Sequence, residues 1–149
     1  MKKLRIYIDM DGVISDFEKA KKELTISFQK RPDLHVDYLH LDIVPGAEEA
    51  VEYLNKYHEV FIASTPPWSR IQVWADKRAW LERWFPDLKR KLILTHRKDL
   101  LIGDVLIDDS RFRGQPDFKG HWFWFNKDWE NKNWKACLEF IKKLENEEI

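Results

Sequence analysis

The chain has a single cysteine, Cys137, so no disulfide can form within it. That suits a reducing compartment. It also lacks a charge of one sign: 26 Lys and Arg balance 26 Asp and Glu. A net charge of zero gives no overall basic field for nucleic acid and no acidic tail. No apolar run is long enough to span a bilayer. Met1-Lys2-Lys3-Leu4 leads straight into a strand-like run, so no signal peptide is expected before it. Repeats and low-complexity tracts are missing too. These absences predict one soluble, cytoplasmic domain over residues 1–149, a length that can bury a real core.

What is present is an alternation. Leu4–Asp9 reads as a first strand, 60–63 as a second, 92–94 as a third, 105–107 as a fourth and 121–125 as a fifth. Helices are predicted over 17–30 with Asp16 as cap, 47–57, 69–85 and 129–147. In the 17–30 helix, Lys21, Leu24 and Phe28 would share a face. In the 69–85 helix, Ile71, Val73, Trp74, Trp80, Leu81 and Trp84 recur at helical spacing. Trp122 and Trp124 share one face of the fifth strand and are expected to pack under a helix. Short apolar strands alternating with helices predict a three-layer α/β/α sandwich around a mainly parallel five-stranded sheet. The stretch 16–44 reads as a small cap inserted over one sheet edge.

In open α/β sheets ligands sit beyond the carboxyl ends of the strands. Here those ends carry Asp9 and Asp11, then Ser64 and Thr65, then Lys98, then Asp108 and Asp109. Carboxylates gathered in one crevice repel unless a cation lies between them. Oxygen-only ligands suit magnesium, and the lysine and hydroxyls suit the oxygens of a phosphate. Trp68, just past Pro66-Pro67, could stack on a base.

Asp9-Met10-Asp11-Gly12-Val13 after a strand, a hydroxyl residue ending the second strand, a later lysine and an Asp-Asp pair resemble the haloacid dehalogenase-like (HAD) phosphatases. Val44-Pro45-Gly46-Ala47, Val60-Phe61-Ile62-Ala63-Ser64-Thr65-Pro66, Lys77–Phe85, Leu94-Thr95 and Leu106-Ile107-Asp108-Asp109 make the chain most similar to the 5′(3′)-deoxyribonucleotidase family. The family's cap is generally longer, with aromatic residues that hold the base; here only Phe17 carries over.

The resemblance implies a fold and a chemistry. The expected activity is magnesium-dependent hydrolysis of (deoxy)nucleoside monophosphates. Asp9 would attack phosphorus and Asp11 would act as acid, then base. Mg2+ would be held by Asp9, the backbone carbonyl of Asp11, and Asp109, with Asp108 orienting a water or a lysine. Ser64, the Thr65 N–H and Lys98 would contact the phosphoryl group. Lys77 is a second phosphate-side candidate that would also bridge to the acidic pair. Two rival readings stay open: a phosphatase of another small ester or of 3′-phosphorylated nucleic-acid ends, and a phospho-acceptor signalling module. The Trp-rich helices could support a homodimer.

Overall fold

The computed structural model describes residues 1–147; the last two positions of the domain read from sequence, 148–149, lie outside the described residues. Strands β1 (Arg5–Ile8), β2 (Glu59–Ser64), β3 (Leu92–Leu94), β4 (Val105–Asp108) and β5 (His121–Trp124) form one sheet in the order β3-β2-β1-β4-β5. Every neighbouring pair is parallel. The α-helices are α1 (Phe17–Glu23), α2 (Ala47–Tyr57), α3 (Ile71–Trp84) and α4 (Trp134–Glu145). This is an α/β, Rossmann-like fold. Among the described residues no helix is long and apolar enough to cross a membrane.

Alternation along the strands sends side chains to opposite faces. Ile6, Ile8, Val60, Ile62, Val105 and Ile107 share one core with the helices. Helix α2 meets that core through Ala47, Ala50, Val51 and Leu54, and α4 through Trp134, Cys137, Ile141 and Leu144. Both sets follow helical spacing. Tyr7, Ala63 and Leu106 form a second, smaller core with Phe118, packed by Phe61, Ile93, Leu101 and Trp122. The cover on that second face is thin. The connections from β3 to β4 and from β4 to β5 carry only short 3-10 turns, Lys98–Leu100 and Gln115–Asp117.

Three local expectations need correction. The 17–30 helix stops at Glu23, because Leu24 turns extended at φ −70°, ψ 155° and a 3-10 turn (Ile26–Lys30) follows. Thr25 and Ile26 are β-branched and weaken a helix there. The Gln29 amide donates to the Leu24 carbonyl instead. Phe28 consequently stacks on His35 rather than facing inward with Leu24. Ile71 leaves the α3 stripe and is 83 % exposed, since it opens the helix ahead of the first core contact, Val73. Trp122 and Trp124 do share a face, but not under a helix: α4 packs on the other face, where Phe123 meets Phe140.

The segment 16–44 is tied to the body at several points. Arg70 donates to the carbonyls of Asp33 (3.1 Å) and Val36 (2.8 Å), and the Trp80 indole donates to Leu41 (2.8 Å). The Asp16 side chain caps α1 by accepting from Lys19 N–H.

Candidate active site

The carboxyl edge of the sheet gathers the acids. Each parallel strand ends at the same level, so the residue after β1 and the residues ending β4 become neighbours. Asp9, Asp108 and Asp109 each offer a carboxylate oxygen within 4.8 Å of the others. The Lys98 ammonium, buried beneath them, donates to Asp9 at 2.9 Å and to Asp108. Burial alone would lower the Lys98 pKa; the charges of Asp9 and Asp108 more than reverse this and raise it. Asp108 also accepts from the Ser110 N–H at 2.9 Å.

One ammonium does not neutralise three acids. Burial, then repulsion from Asp9, pushes Asp108 upward despite Lys98. Desolvation at the crevice floor, then Asp9, pushes Asp109 upward as well. Asp109 keeps an exposed face, so screening by water trims the first of these causes and the upward direction is what stands. An all-oxygen cluster carrying this surplus of negative charge fits a hard divalent cation.

Gly12 makes room for the cluster. Its φ is +85°, a conformation other residues rarely take, and a Cβ there would lie 2.0 Å from Asp109 Oδ2. Ser64 ends β2 at the same sheet edge and lies outside the crevice lining. Its hydroxyl is fully buried and is the buried side-chain oxygen without a hydrogen-bond partner among the described residues. An orphaned buried hydroxyl costs stability unless a ligand satisfies it. The Thr65 hydroxyl, in contrast, donates to the Thr95 carbonyl at 2.7 Å. It braces β2 to β3's end, which leaves the Thr65 N–H rather than the hydroxyl for an anion.

Asp11 turns away from the cluster. Its Oδ2 accepts from Lys77 at 2.7 Å and its Oδ1 from the Ser15 hydroxyl at 3.0 Å. Lys77 is therefore Asp11's partner and does not bridge to Asp108 and Asp109; Lys98 makes the bridge, between Asp9 and Asp108. The same Lys77 ammonium lies 5.0 Å over the Tyr38 ring, and Arg70 lies 5.5 Å over it.

A crevice of about 350 Å³ opens above these groups, lined by Asp9, Asp11, Phe17, Tyr38, Thr65, Lys98 and Asp109 among others. Phe17 and Tyr38 face each other at 5.7 Å. Burial, then the charge of Asp11, holds the Tyr38 hydroxyl protonated. Trp68 lies outside this lining. It is 77 % exposed and packs edge-on against Trp74 and His96. Tyr38 joins the crevice lining without having been among the residues expected there. Its only signal was to be aromatic in a cap otherwise short of rings.

A family profile described as 5′ nucleotidase, deoxy (pyrimidine), cytosolic type C matches residues 22–129. The chain belongs to this deoxyribonucleotidase family. A protein of Vibrio phage KVP40 assigned as a 5′(3′)-deoxyribonucleotidase is 34% identical over 142 residues, 91% of this chain and 83% of that one. The human cytosolic-type 5′(3′)-deoxyribonucleotidase is 29% identical over 150 residues, 76% of this chain and 75% of its own. A Bordetella pertussis protein with the same assignment as the phage one is 33% identical over 135 residues, 70% of this chain and 73% of its own. The span matched to the deoxyribonucleotidase profile contains Ser64, Lys77, Lys98, Asp108 and Asp109 and begins beyond Asp9 and Asp11.

Proposed function

We propose that this deoxyribonucleotidase-family protein is a magnesium-dependent phosphomonoesterase. It removes phosphate from (deoxy)nucleoside monophosphates through an aspartyl phosphate on Asp9. The observation that carries this reading is the cluster of Asp9, Asp108 and Asp109 at one sheet edge, with the buried Lys98 ammonium on Asp9 and Asp108 and an unpartnered Ser64 hydroxyl ending β2. The relatives' names supply the substrate class.

An Asp9 oxygen attacks phosphorus, and the bond from phosphorus to the ester oxygen breaks. The departing alkoxide takes a proton from the carboxylic acid form of Asp11. Water then attacks the phosphoryl group on Asp9, Asp11 takes up a proton from it, and inorganic phosphate leaves with Asp9 restored. Lys77 orients Asp11 through its Oδ2 and meets the carboxylate's charge between the first step, when Asp11 gives up its proton, and the second, when it takes one from water. Ser64 Oγ and the Thr65 N–H donate to the equatorial oxygens, while Lys98 fixes the Asp9 carboxylate and offsets charge at the phosphoryl group. Asp9, Asp109 and the Asp11 carbonyl are the groups to hold Mg2+, which when bound screens the nucleophile from the phosphate it attacks. Phe17 and Tyr38, in the crevice lining, are placed to bear on the nucleoside, and 16–44 serves as the cap.

A second substrate reading, strand ends with a 3′-phosphate, is favoured by one feature. Phe112 is 72 % exposed and, with Arg113, lines the crevice where a longer substrate would leave it. Phosphate release from 5′- and 3′-monophosphates, against a 3′-phosphorylated oligonucleotide, each with Mg2+ and with chelator, tests both. Mg2+-dependent turnover of the monophosphates supports the first reading; turnover of the oligonucleotide alone replaces it.

A further inference from the structure

Two indoles hold the backbone that carries the acidic pair. The ladder between β4 and β5 ends where the Phe125 N–H donates to the Asp108 carbonyl at 2.9 Å. Side chains from β5 then continue it. The Trp122 Nε1–H donates to the same Asp108 carbonyl at 3.2 Å, and the Trp124 Nε1–H donates to the next carbonyl, Asp109, at 3.0 Å. The two rings stack, with centroids 5.2 Å apart and planes 26° apart. Beyond them the Lys132 ammonium lies 4.7 Å over Trp124 and 4.9 Å over Trp129.

Burial does not account for this ladder. Trp124 is 44 % exposed, so its ring adds little to the core. What it does is satisfy a carbonyl at the point where backbone pairing stops and an exposed turn begins. Asp109 is thereby held from two sides: its carboxylate lies against the space left by Gly12, and its carbonyl is tied to Trp124.

We infer that Trp124 is a positioning residue for the divalent cation, setting the direction of the Asp109 carboxylate through its backbone, with Trp122 and Lys132 holding the indole in place. This rests on the reading of Asp109 as a cation ligand. Partners one step removed from a metal ligand typically change metal affinity about 10- to 100-fold when lost. Trp122 shares its carbonyl with a backbone N–H, so its loss costs less.

The test is calorimetric titration of Mg2+ into the full chain without substrate, alongside the Mg2+ concentration for half-maximal phosphate release. Trp124→Phe keeps the stacked ring and removes the donor. It is expected to weaken the Mg2+ Kd about tenfold, with kcat at saturating Mg2+ within about twofold of wild type. Trp122→Phe shifts Kd less, and Trp84→Phe, an indole on α3, leaves it unchanged. A Trp124→Phe Kd equal to wild type overturns the inference alone. A kcat loss at saturating Mg2+ with Kd unmoved also overturns it. A wild-type protein that binds no Mg2+ overturns both this inference and the cation reading beneath it.

Discussion

A side chain on Gly12 would lie 2.0 Å from Asp109 Oδ2. The turn after β1 and the turn after β4 thus close on each other with nothing between them but a glycine hydrogen. This contact joins the strand that bears Asp9 to the one that bears Asp108.

Gly12→Ala is expected to displace Asp109 and to strain a backbone at φ +85°. A shift of about 1 Å at such a site costs on the order of 100-fold in rate. Phosphate-release kinetics should show that loss, and Mg2+ titration should show weakened affinity. Unchanged Mg2+ affinity would mean the two turns are not coupled.

Ser64→Ala should move stability and activity in opposite directions. The Ser64 hydroxyl is buried and unpartnered, so removing it relieves a desolvation cost. Melting temperature should hold or rise. Activity should fall by about 3–4 kcal/mol of transition-state stabilisation if the hydroxyl donates to a phosphoryl oxygen. A destabilised variant with full activity would make Ser64 a packing residue only.

The acidic cluster links stability to pH and to cation. Asp108 is pushed up to about 7 by burial and by Asp9's charge. A carboxyl raised in this way stabilises the metal-free fold while protonated. That contribution is complete below its unfolded value near pH 4 and is lost as pH rises through about 7. Melting temperature in chelator should fall between about pH 4 and 7 and level off above that. Mg2+ should restore the loss, so the gap between Mg2+ and chelator widens with pH. A gap that is flat across this range would argue against a cation among these acids.

A second polar network lies away from the crevice. His58 Nδ1 accepts from the Leu4 N–H at 3.0 Å, so its Nε2 carries the proton shared with Glu145 at 2.7 Å. Tyr53 adds a bond to the same carboxylate at 3.1 Å. The cluster ties β1, the α2–β2 junction and α4 together. His58→Ala leaves Glu145 buried with its charge poorly met, a loss of about 3–5 kcal/mol. Denaturant unfolding should show it, while kcat of the folded fraction stays at wild type.

How much of this could be read in advance differs from residue to residue. The strands were legible because each is a short apolar run ended by a polar residue, and the site because those ends fall on one edge of a parallel sheet. Asp9 and Asp11, Ser64 and Thr65, Lys98, and Asp108 and Asp109 could be named on that logic, while the choice within each pair came from the family resemblance. Partners were not legible. Lys77 sits on α3, 66 residues along the chain from Asp11, and only folding sets its ammonium there rather than on the acidic pair. Trp122 and Trp124 looked like core because tryptophan usually is; their role depends on the register that sets Asp108 opposite Trp124. Leu24 broke its helix through a local competition between β-branched neighbours and a glutamine cap, which periodicity cannot see. His58 carried no signal, since its partners come from sequence positions about 50 and 90 residues distant.

The most direct measurement is phosphate release from a deoxynucleoside monophosphate by wild type and by Asp9→Asn, with Mg2+ present and after chelation. Mg2+-dependent turnover by the wild type, absent in Asp9→Asn although that variant folds, is the predicted result. Turnover by Asp9→Asn at the wild-type rate, with the asparagine verified intact by mass spectrometry, would contradict the account.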